Sequence, residues 1–379
     1  MWLLLFMVLP LVGIAYVGWH VWTLVPLPRL WRAVIVATGV LSFLLLFLNL
    51  GRVIDRMPLS LARICYDVGN SSIFILLYMV IIFLVLDLGR LCRVVPAAWL
   101  HQNFYTTATL TIGLFVLFLL ANIQYNNKVR VPIYITTNKP LEKPMRLVML
   151  SDLHLGYHNP KKELHRWVDL INGEQPDLVL IAGDLIDMSI RPLLEENMAE
   201  EFRRIQAPVY ACLGNHEYYT GEPQAQQFYR DAGIHLLRDT GEVVNGLCII
   251  GRDDRTNPHR KSLGTIIKNL PQLGEAGGGF PQSGEAGGGL YTILMDHQPY
   301  HLEQAERAGI DFQLSGHTHR GQVWPISWIT DRLYECSWGE HRRGNTRYYV
   351  SSGIGIWGGK FRIGTRSEYV VATINKENE

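Results

Sequence analysis

The sequence predicts a chain in two parts, a bundle of four membrane-spanning helices followed by a domain of alternating α and β elements. Two observations predict it: the placement of charge, and a change in apolar patterning near residue 145. Of 35 Lys plus Arg and 34 Asp plus Glu, only ten precede Lys128. A near-neutral total of +1 therefore conceals an almost uncharged first third, and it gives no whole-molecule reason to expect a nucleic-acid partner.

Residues 2–25, 33–50, 68–86 and 106–123 contain no Asp, Glu, Lys or Arg. A spanning helix needs about 17 to 25 apolar residues, because each backbone N–H and C=O must be satisfied within the segment across the hydrocarbon. Buried core helices would need far more polar chain around them. The first stretch lacks a basic n-region, is too long for an h-region and has no convincing A-x-A site, so it reads as a retained helix. No ionisable residue is expected deep inside a span, Asp87 falling at the end of the third, and the bundle reads as an anchor rather than an ion pathway. Four spans place both ends on one side. That side carries Arg52, Arg56, Arg63, Lys128, Arg130 and Lys139 against Arg29, Arg32, Arg90 and Arg93 opposite, which puts the C-terminal domain in the cytoplasm. Five cysteines without framework spacing suit a reducing compartment.

From residue 145 short apolar runs end abruptly in polar residues and alternate with amphipathic segments, the pattern of an α/β domain. Residues 146–150 run into Ser151-Asp152-Leu153-His154, and 178–182 into Gly183-Asp184-Leu185-Ile186-Asp187. Residues 209–213 lead to Gly214-Asn215-His216-Glu217, 291–295 to Asp296-His297, and 312–315 to Gly316-His317-Thr318-His319. Singly, each is weak, since a lone histidine is more often a hydrogen-bonded structural residue. Together Asp152, His154, Asp184, Asn215, His297, His317 and His319 supply seven N and O donors at strand ends, where distant residues converge. With no Cys among them, the set suits Mn, Fe or Zn better than Ca or a structural zinc site.

In this order the five blocks resemble the calcineurin-like metallophosphoesterase superfamily, whose signature is D-x-H, G-D-x-x-D, G-N-H-[DE], a lone His and G-H-x-H, over residues 145–374. The stretches 151–156, 214–219, 316–325 and 352–358 resemble its membrane-associated YkuE and YaeI branch, with Arg320 in place of a glycine and Glu217 in place of an aspartate. The resemblance implies two β-sheets packed face to face with helices outside. With the apolar spans, the chain divides into 1–127, the four-helix anchor, 128–144, a linker, and 145–379, the metallophosphoesterase domain. The resemblance further implies one metal held by Asp152, His154, Asp184 and His319, and a second by Asp184, Asn215, His297 and His317. A hydroxide between the ions would attack phosphorus in line. His216, not a ligand in the family pattern, would stabilise the transition-state oxygen or protonate the leaving group, and Asp187 would hold its imidazole or else serve as a helix N-cap.

His158, His165, His235, His259, His301 and His341 lack strand-end placement and read as surface or packing residues. The nine-residue motif at 271–279, repeated at 281–289, is too glycine-rich to bury a core and reads as a flexible insertion. Trp324, Ile326, Trp328, Ile329 and Leu333 crowd beside the last motif, either to meet a membrane interface or acyl chain, or to pack beneath a loop. The expected activity is hydrolysis of a phosphodiester or pyrophosphate bond on a lipid or lipid-linked headgroup. The partners are then a bilayer and that phosphoester. The alternatives are a phosphodiesterase acting on soluble nucleotides and a non-catalytic metal-binding sensor module.

Overall fold

The computed structural model describes residues 2–270 and 289–377, and nearly all of the duplicated glycine-rich segment lies outside the described residues. The chain divides into two compact units, Met1–Ile123 with Gly358–Lys360, and Gln124–Trp357 with Phe361–Glu379.

The first unit holds α1 (Trp2–Leu24), α2 (Arg29–Leu50), α3 (Leu59–Leu91) and α4 (Phe104–Asn126). The last three are long and apolar enough to cross a membrane by length and composition, and the Val8–Leu24 part of α1 is apolar but shorter. Pro28 and Pro58 immediately precede α2 and α3, where an absent N–H leaves nothing unsatisfied. The helices expose rows of large apolar side chains, among them Leu41, Leu44, Phe115 and Leu120. Contiguous apolar surface of this extent is costly in water and neutral in lipid.

A polar cluster sits at the helix ends: Asp87, one turn inside the end of α3, accepts hydrogen bonds from Tyr16 (2.6 Å) and His20 (3.0 Å) of α1. His20 is buried and stacks on Phe83 with ring centroids 4.4 Å apart. The groups satisfy one another, which is how polar side chains persist among apolar helices.

The described residues of the second unit form twelve strands: β1 (Lys128–Thr137), β2 (Met145–Leu150), β3 (Leu178–Ala182), β4 (Val209–Cys212), β5 (His235–Leu236), β6 (Thr240–Val244), β7 (Leu247–Gly251), β8 (Tyr291–Met295), β9 (Phe312–Ser315), β10 (Gly339–Arg343), β11 (Thr346–Val350) and β12 (Ser367–Lys376). They form two six-stranded sheets, ordered β1-β12-β2-β3-β4-β5 and β10-β11-β9-β8-β7-β6. The interior strands bury both faces, and so read as continuous apolar runs. Alternate residues take opposite sides. Leu147, Met149, Leu178 and Leu180 face Ile249, Ile293, Met295 and Leu314 across the inter-sheet core. Val148, Leu150, Val179 and Ile181 pack outward on Leu164, Trp167, Val168 and Ile171, the apolar stripe of helix Lys161–Gly173. On the other side Ile250 and Leu294 meet Leu263 and Ile266 of helix Leu263–Lys268.

The stretch expected as a linker is largely ordered sheet. β1 pairs in parallel with β12, from Lys128 opposite Ser367 to Thr137 opposite Lys376, and buries Ile133 and Ile135 on one face. The alternation Val-Arg-Val-Pro-Ile-Tyr-Ile-Thr is the physical reason. Because β2, β3 and β4 run parallel in one sheet and β7, β8 and β9 in the other, their carboxyl ends gather the polar motifs along one edge.

Candidate metal centre

The loops at these strand ends are tightly turned. Asp152, Asp184, His154, His317 and His319 all take left-handed backbone angles, with φ between 45° and 71°. A non-glycine residue held so costs on the order of 1 kcal/mol or more, a strain that surrounding hydrogen bonds must sustain. Asp152 N–H donates to the Gly183 carbonyl (3.1 Å) and His154 N–H to that of Asp184 (3.0 Å), tying the first loop to the second. The motif glycines follow from crowding: a Cβ on Gly214 would lie 2.2 Å from an Asp184 carboxylate oxygen, and one on Gly316 2.2 Å from an Asp152 oxygen.

All seven side chains expected as donors converge. Donor atoms of Asp152, His154 and His319 lie within 4.8 Å of one another, as do those of Asp184, His297 and His317. His154 Nε2 faces His319 Nε2 at 3.1 Å, and Asp152 Oδ1 lies 3.5 Å from the latter. Asp184 Oδ2 lies 3.7 Å from His154 Nε2 and 3.1 Å from His297 Nε2. Asn215 Oδ1 meets His317 Nδ1 at 2.8 Å. His216 sits at the junction, sharing a cluster with His154 and Asp184.

The chemistry of these donors fits divalent cations. His297 Nδ1 donates to the Ala182 carbonyl at 2.8 Å, which aims Nε2 at Asp184 Oδ2, 3.1 Å away. Burial would lower His297, yet the Asp184 carboxylate outweighs it and pushes the imidazole well above the usual histidine range, so this buried point calls for positive charge, whether a proton or a divalent cation. Burial, reinforced by neighbouring imidazoles, lowers His319 well below the usual histidine range and His317 to about 4, the neutral forms that ligate. Burial alone would raise the Asp184 carboxyl, but His297 and His216 outweigh it and hold it well below the ordinary carboxylate value.

Asp187 lies with Oδ1 3.3 Å from His154 Nδ1 and 3.4 Å from His216 Nδ1. It does not cap a helix, since the next one, Arg191–Glu195, follows Ile190. Burial would lower His216, yet the carboxylates of Asp184 and Asp187 push it up to about 9.

Two groups outside the motifs, Arg362 and Asp254, and the role of Glu217 within one emerge from the fold. Glu217 is fully buried and accepts from the backbone N–H groups of Gly214 (2.7 Å), Ile186 (3.0 Å) and Asp184 (3.2 Å), bolting the second and third loops together. Arg362, also buried, donates to the carbonyls of His319 (2.9 Å) and Gly355 (3.1 Å). Asp254, just past β7, holds Gln298 through both carboxylate oxygens and adds its charge to the surroundings of His297 and His317. Its signal was present: Leu-Cys-Ile-Ile-Gly running into Arg-Asp-Asp is a sixth strand-end pattern. His158 is buried and bonds the Ile356 carbonyl, a packing role. On helix Ile326–Leu333, Trp328 is 64% and Leu333 70% exposed, so these side chains do not pack beneath a loop.

Residues 145–321 match the family model described as calcineurin-like phosphoesterase. The chain is 28% identical over 371 residues to a transmembrane protein with metallophosphoesterase domain from Danio rerio, covering 90% of this chain and 79% of that one. That span necessarily includes part of the helical unit. It is 30% identical over 237 residues to an uncharacterized metallophosphoesterase of Campylobacter jejuni, covering 62% of this chain and 60% of the relative. A further relative is the uncharacterized metallophosphoesterase YkuE of Bacillus subtilis, 26% identical over 244 residues and covering 62% and 80% of the two chains. With its motifs gathered at one sheet edge, the segment 145–321 is a calcineurin-like phosphoesterase domain, similar to the transmembrane relative with a metallophosphoesterase domain and to YkuE.

Proposed function

We propose that this metallophosphoesterase is a multi-pass membrane enzyme using two divalent ions, Mn, Fe or Zn, to hydrolyse a phosphodiester or pyrophosphate bond on a lipid or lipid-linked headgroup, with its catalytic domain in the cytoplasm. The observation that carries the reading is the position of Asp184, one buried carboxylate whose Oδ2 faces His154 on one side and His297 on the other. Asp152, His154 and His319 with Asp184 would hold one ion; Asn215, His297 and His317 with Asp184 would hold the other. Bound there, such ions supply Lewis acidity toward phosphoryl oxygens and lower the pKa of water toward neutrality.

The chain's own residues do the rest. Asp187, set against Nδ1 of His216, fixes the imidazole so that Nε2 can deliver a proton to the departing oxygen. His216 is the one member of these clusters that, with His317, retains partial exposure, as a group meeting substrate must. The lipid part of the reading is supported by the apolar helices of the first unit and by the exposed Trp328, Ile329 and Leu333, which follow the His319 motif closely in sequence.

Asp184→Asn should lower both metal content and turnover. The loss in turnover should exceed about 10²-fold, since metals contribute several kcal/mol of charge stabilisation and each 1.4 kcal/mol is tenfold. Elemental analysis with hydrolysis of bis-p-nitrophenyl phosphate in Mn checks this; two ions retained with full turnover would refute a shared bridge. Comparing detergent-dispersed lipid pyrophosphates with cyclic nucleotides then tests the substrate class, and faster turnover of the nucleotides would favour a soluble substrate.

A further inference from the structure

Near the donor clusters stands a cation that no carboxylate among the described residues answers. The loop after β7 is rich in charge, and its other arginines are paired: Arg252 Nη1 lies 3.2 Å and Arg260 Nη1 3.1 Å from oxygens of Asp296. Arg238 reaches Asp253 at 2.7 Å. Arg255, in the same loop, makes no ion pair and no hydrogen bond among the described residues, and its Nη1 is buried without a partner. Its guanidinium lies 4.3 Å from the centroid of the Tyr300 ring.

That contact leads toward the metal centre. The Tyr300 and Tyr334 hydroxyls are hydrogen-bonded at 2.9 Å with ring centroids 4.8 Å apart. Tyr334 in turn stands edge-on to His317 with ring centroids 6.4 Å apart. Whichever hydroxyl donates in the pair, one hydrogen remains for a further acceptor. Burial raises the Tyr334 hydroxyl above its ordinary range, so it remains a donor. The corner thus offers the guanidinium fork and a phenolic O–H, with no anionic acceptor among the described residues. Stacking on tyrosine offsets only part of the desolvation of a guanidinium, at about 0.5 to 2 kcal/mol. An arginine fork without a carboxylate is matched by a phosphate, which accepts in a bidentate manner. The reacting phosphorus belongs against Asp184; Arg255 is set apart from that point by the tyrosine pair, and therefore serves a group farther along the substrate.

We propose that Arg255, aided by Tyr334, binds a second phosphate adjacent to the scissile one, making this a site for pyrophosphate-linked diesters in preference to simple phosphodiesters. The proposal rests on the hydrolytic reading above and narrows it. The second phosphate can come from a soluble nucleotide sugar or from a lipid-linked diphosphate, which share this chemistry.

The test uses the full chain in detergent, loaded with Mn, on three substrates: bis-p-nitrophenyl phosphate, UDP-glucose, and a detergent-dispersed lipid-diphosphate sugar. Arg255→Ala should cut kcat/KM on at least one pyrophosphate at least tenfold more than on the simple diester, chiefly through KM, the size expected of one charge-assisted contact. Arg255→Lys should recover part of the loss, because it restores charge but not the fork. Which pyrophosphate the wild type prefers identifies the source. Equal losses on all three substrates, no loss on either pyrophosphate, or a melting temperature that falls in step with activity in both variants would overturn the assignment of Arg255 while leaving the two-metal reading intact. A wild-type protein that binds two ions and cleaves none of the three would refute the hydrolytic reading, and this inference with it.

Discussion

Asp187 touches two imidazoles at nearly equal distance, and under the proposed two-metal reading this single placement serves a metal donor on one side and a proton donor on the other. Toward His154 it orients a donor of the first cluster. Toward His216 it orients a group with no further structural duty. His216→Ala should therefore keep near-normal metal content while losing about 10² to 10⁴-fold in turnover, the usual worth of a positioned acid. Alkyl esters, whose leaving groups need a proton, should suffer more than aryl esters. Loss of one ion from this variant, with aryl and alkyl esters falling alike, would make His216 a ligand instead. The same contrast explains what could be read from sequence. Asp152, His154 and His319 announce themselves because motif order and strand-end placement survive in one dimension. Arg255 and Arg362 do not, because one is defined by lacking a carboxylate and the other by a ring of backbone carbonyls, and both conditions exist only once the loops are folded.

At the scale of elements, the strands bearing motifs are legible because burial on both faces leaves an unmistakable apolar run, whereas β1 is half-exposed and interrupted by Pro132, and no polar motif marks its end. Its outer edge is held by charge. Arg130 of β1 and Arg146 of β2 both reach Glu174, at 2.8 and 3.0 Å. Burial alone would raise the Glu174 carboxyl, but Arg130 and Arg146 hold it below its ordinary value. A depressed folded value means the stabilisation is fully present above the ordinary glutamate range and is lost as pH falls through the folded value. Since both arginines are over a third exposed, solvent screens the pair, and Glu174→Gln should cost only about 1 kcal/mol near neutral pH. Melting curves of the two proteins should converge on acidification; a constant gap down to pH 3 would remove the carboxylate from the account.

Helix Ile326–Leu333 poses the opposite problem, since an amphipathic pattern does not say whether its apolar face meets core or surroundings. The structure leaves that face open. Truncating a buried tryptophan costs roughly 3 to 5 kcal/mol, but at 64% exposure Trp328→Ser should barely move the melting temperature. If the helix meets the apolar part of the substrate, binding energy gathered away from phosphorus is lost selectively, and hydrolysis of a long-chain lipid substrate should weaken while a small soluble diester is spared. Equal losses on both substrates would leave the lipid contact without support.

For the molecule as a whole, the decisive property is the side of the membrane on which the metal centre works. α4 ends at Asn126 and β1 begins at Lys128, so the second unit follows the last helix directly in sequence, and for the lipid-linked substrate proposed above its side of the membrane fixes the leaflet that supplies it. The excess of six Lys and Arg over four near the helix ends favours the cytoplasm. An alkaline phosphatase fused after Glu379, active only once exported, should therefore stay silent, while a fluorescent protein that matures in the cytoplasm should be bright at the same position. An active phosphatase fusion would reverse the orientation, move the metal centre to the opposite leaflet, and replace cytoplasmic lipid-linked intermediates by exported ones as the substrates to assay.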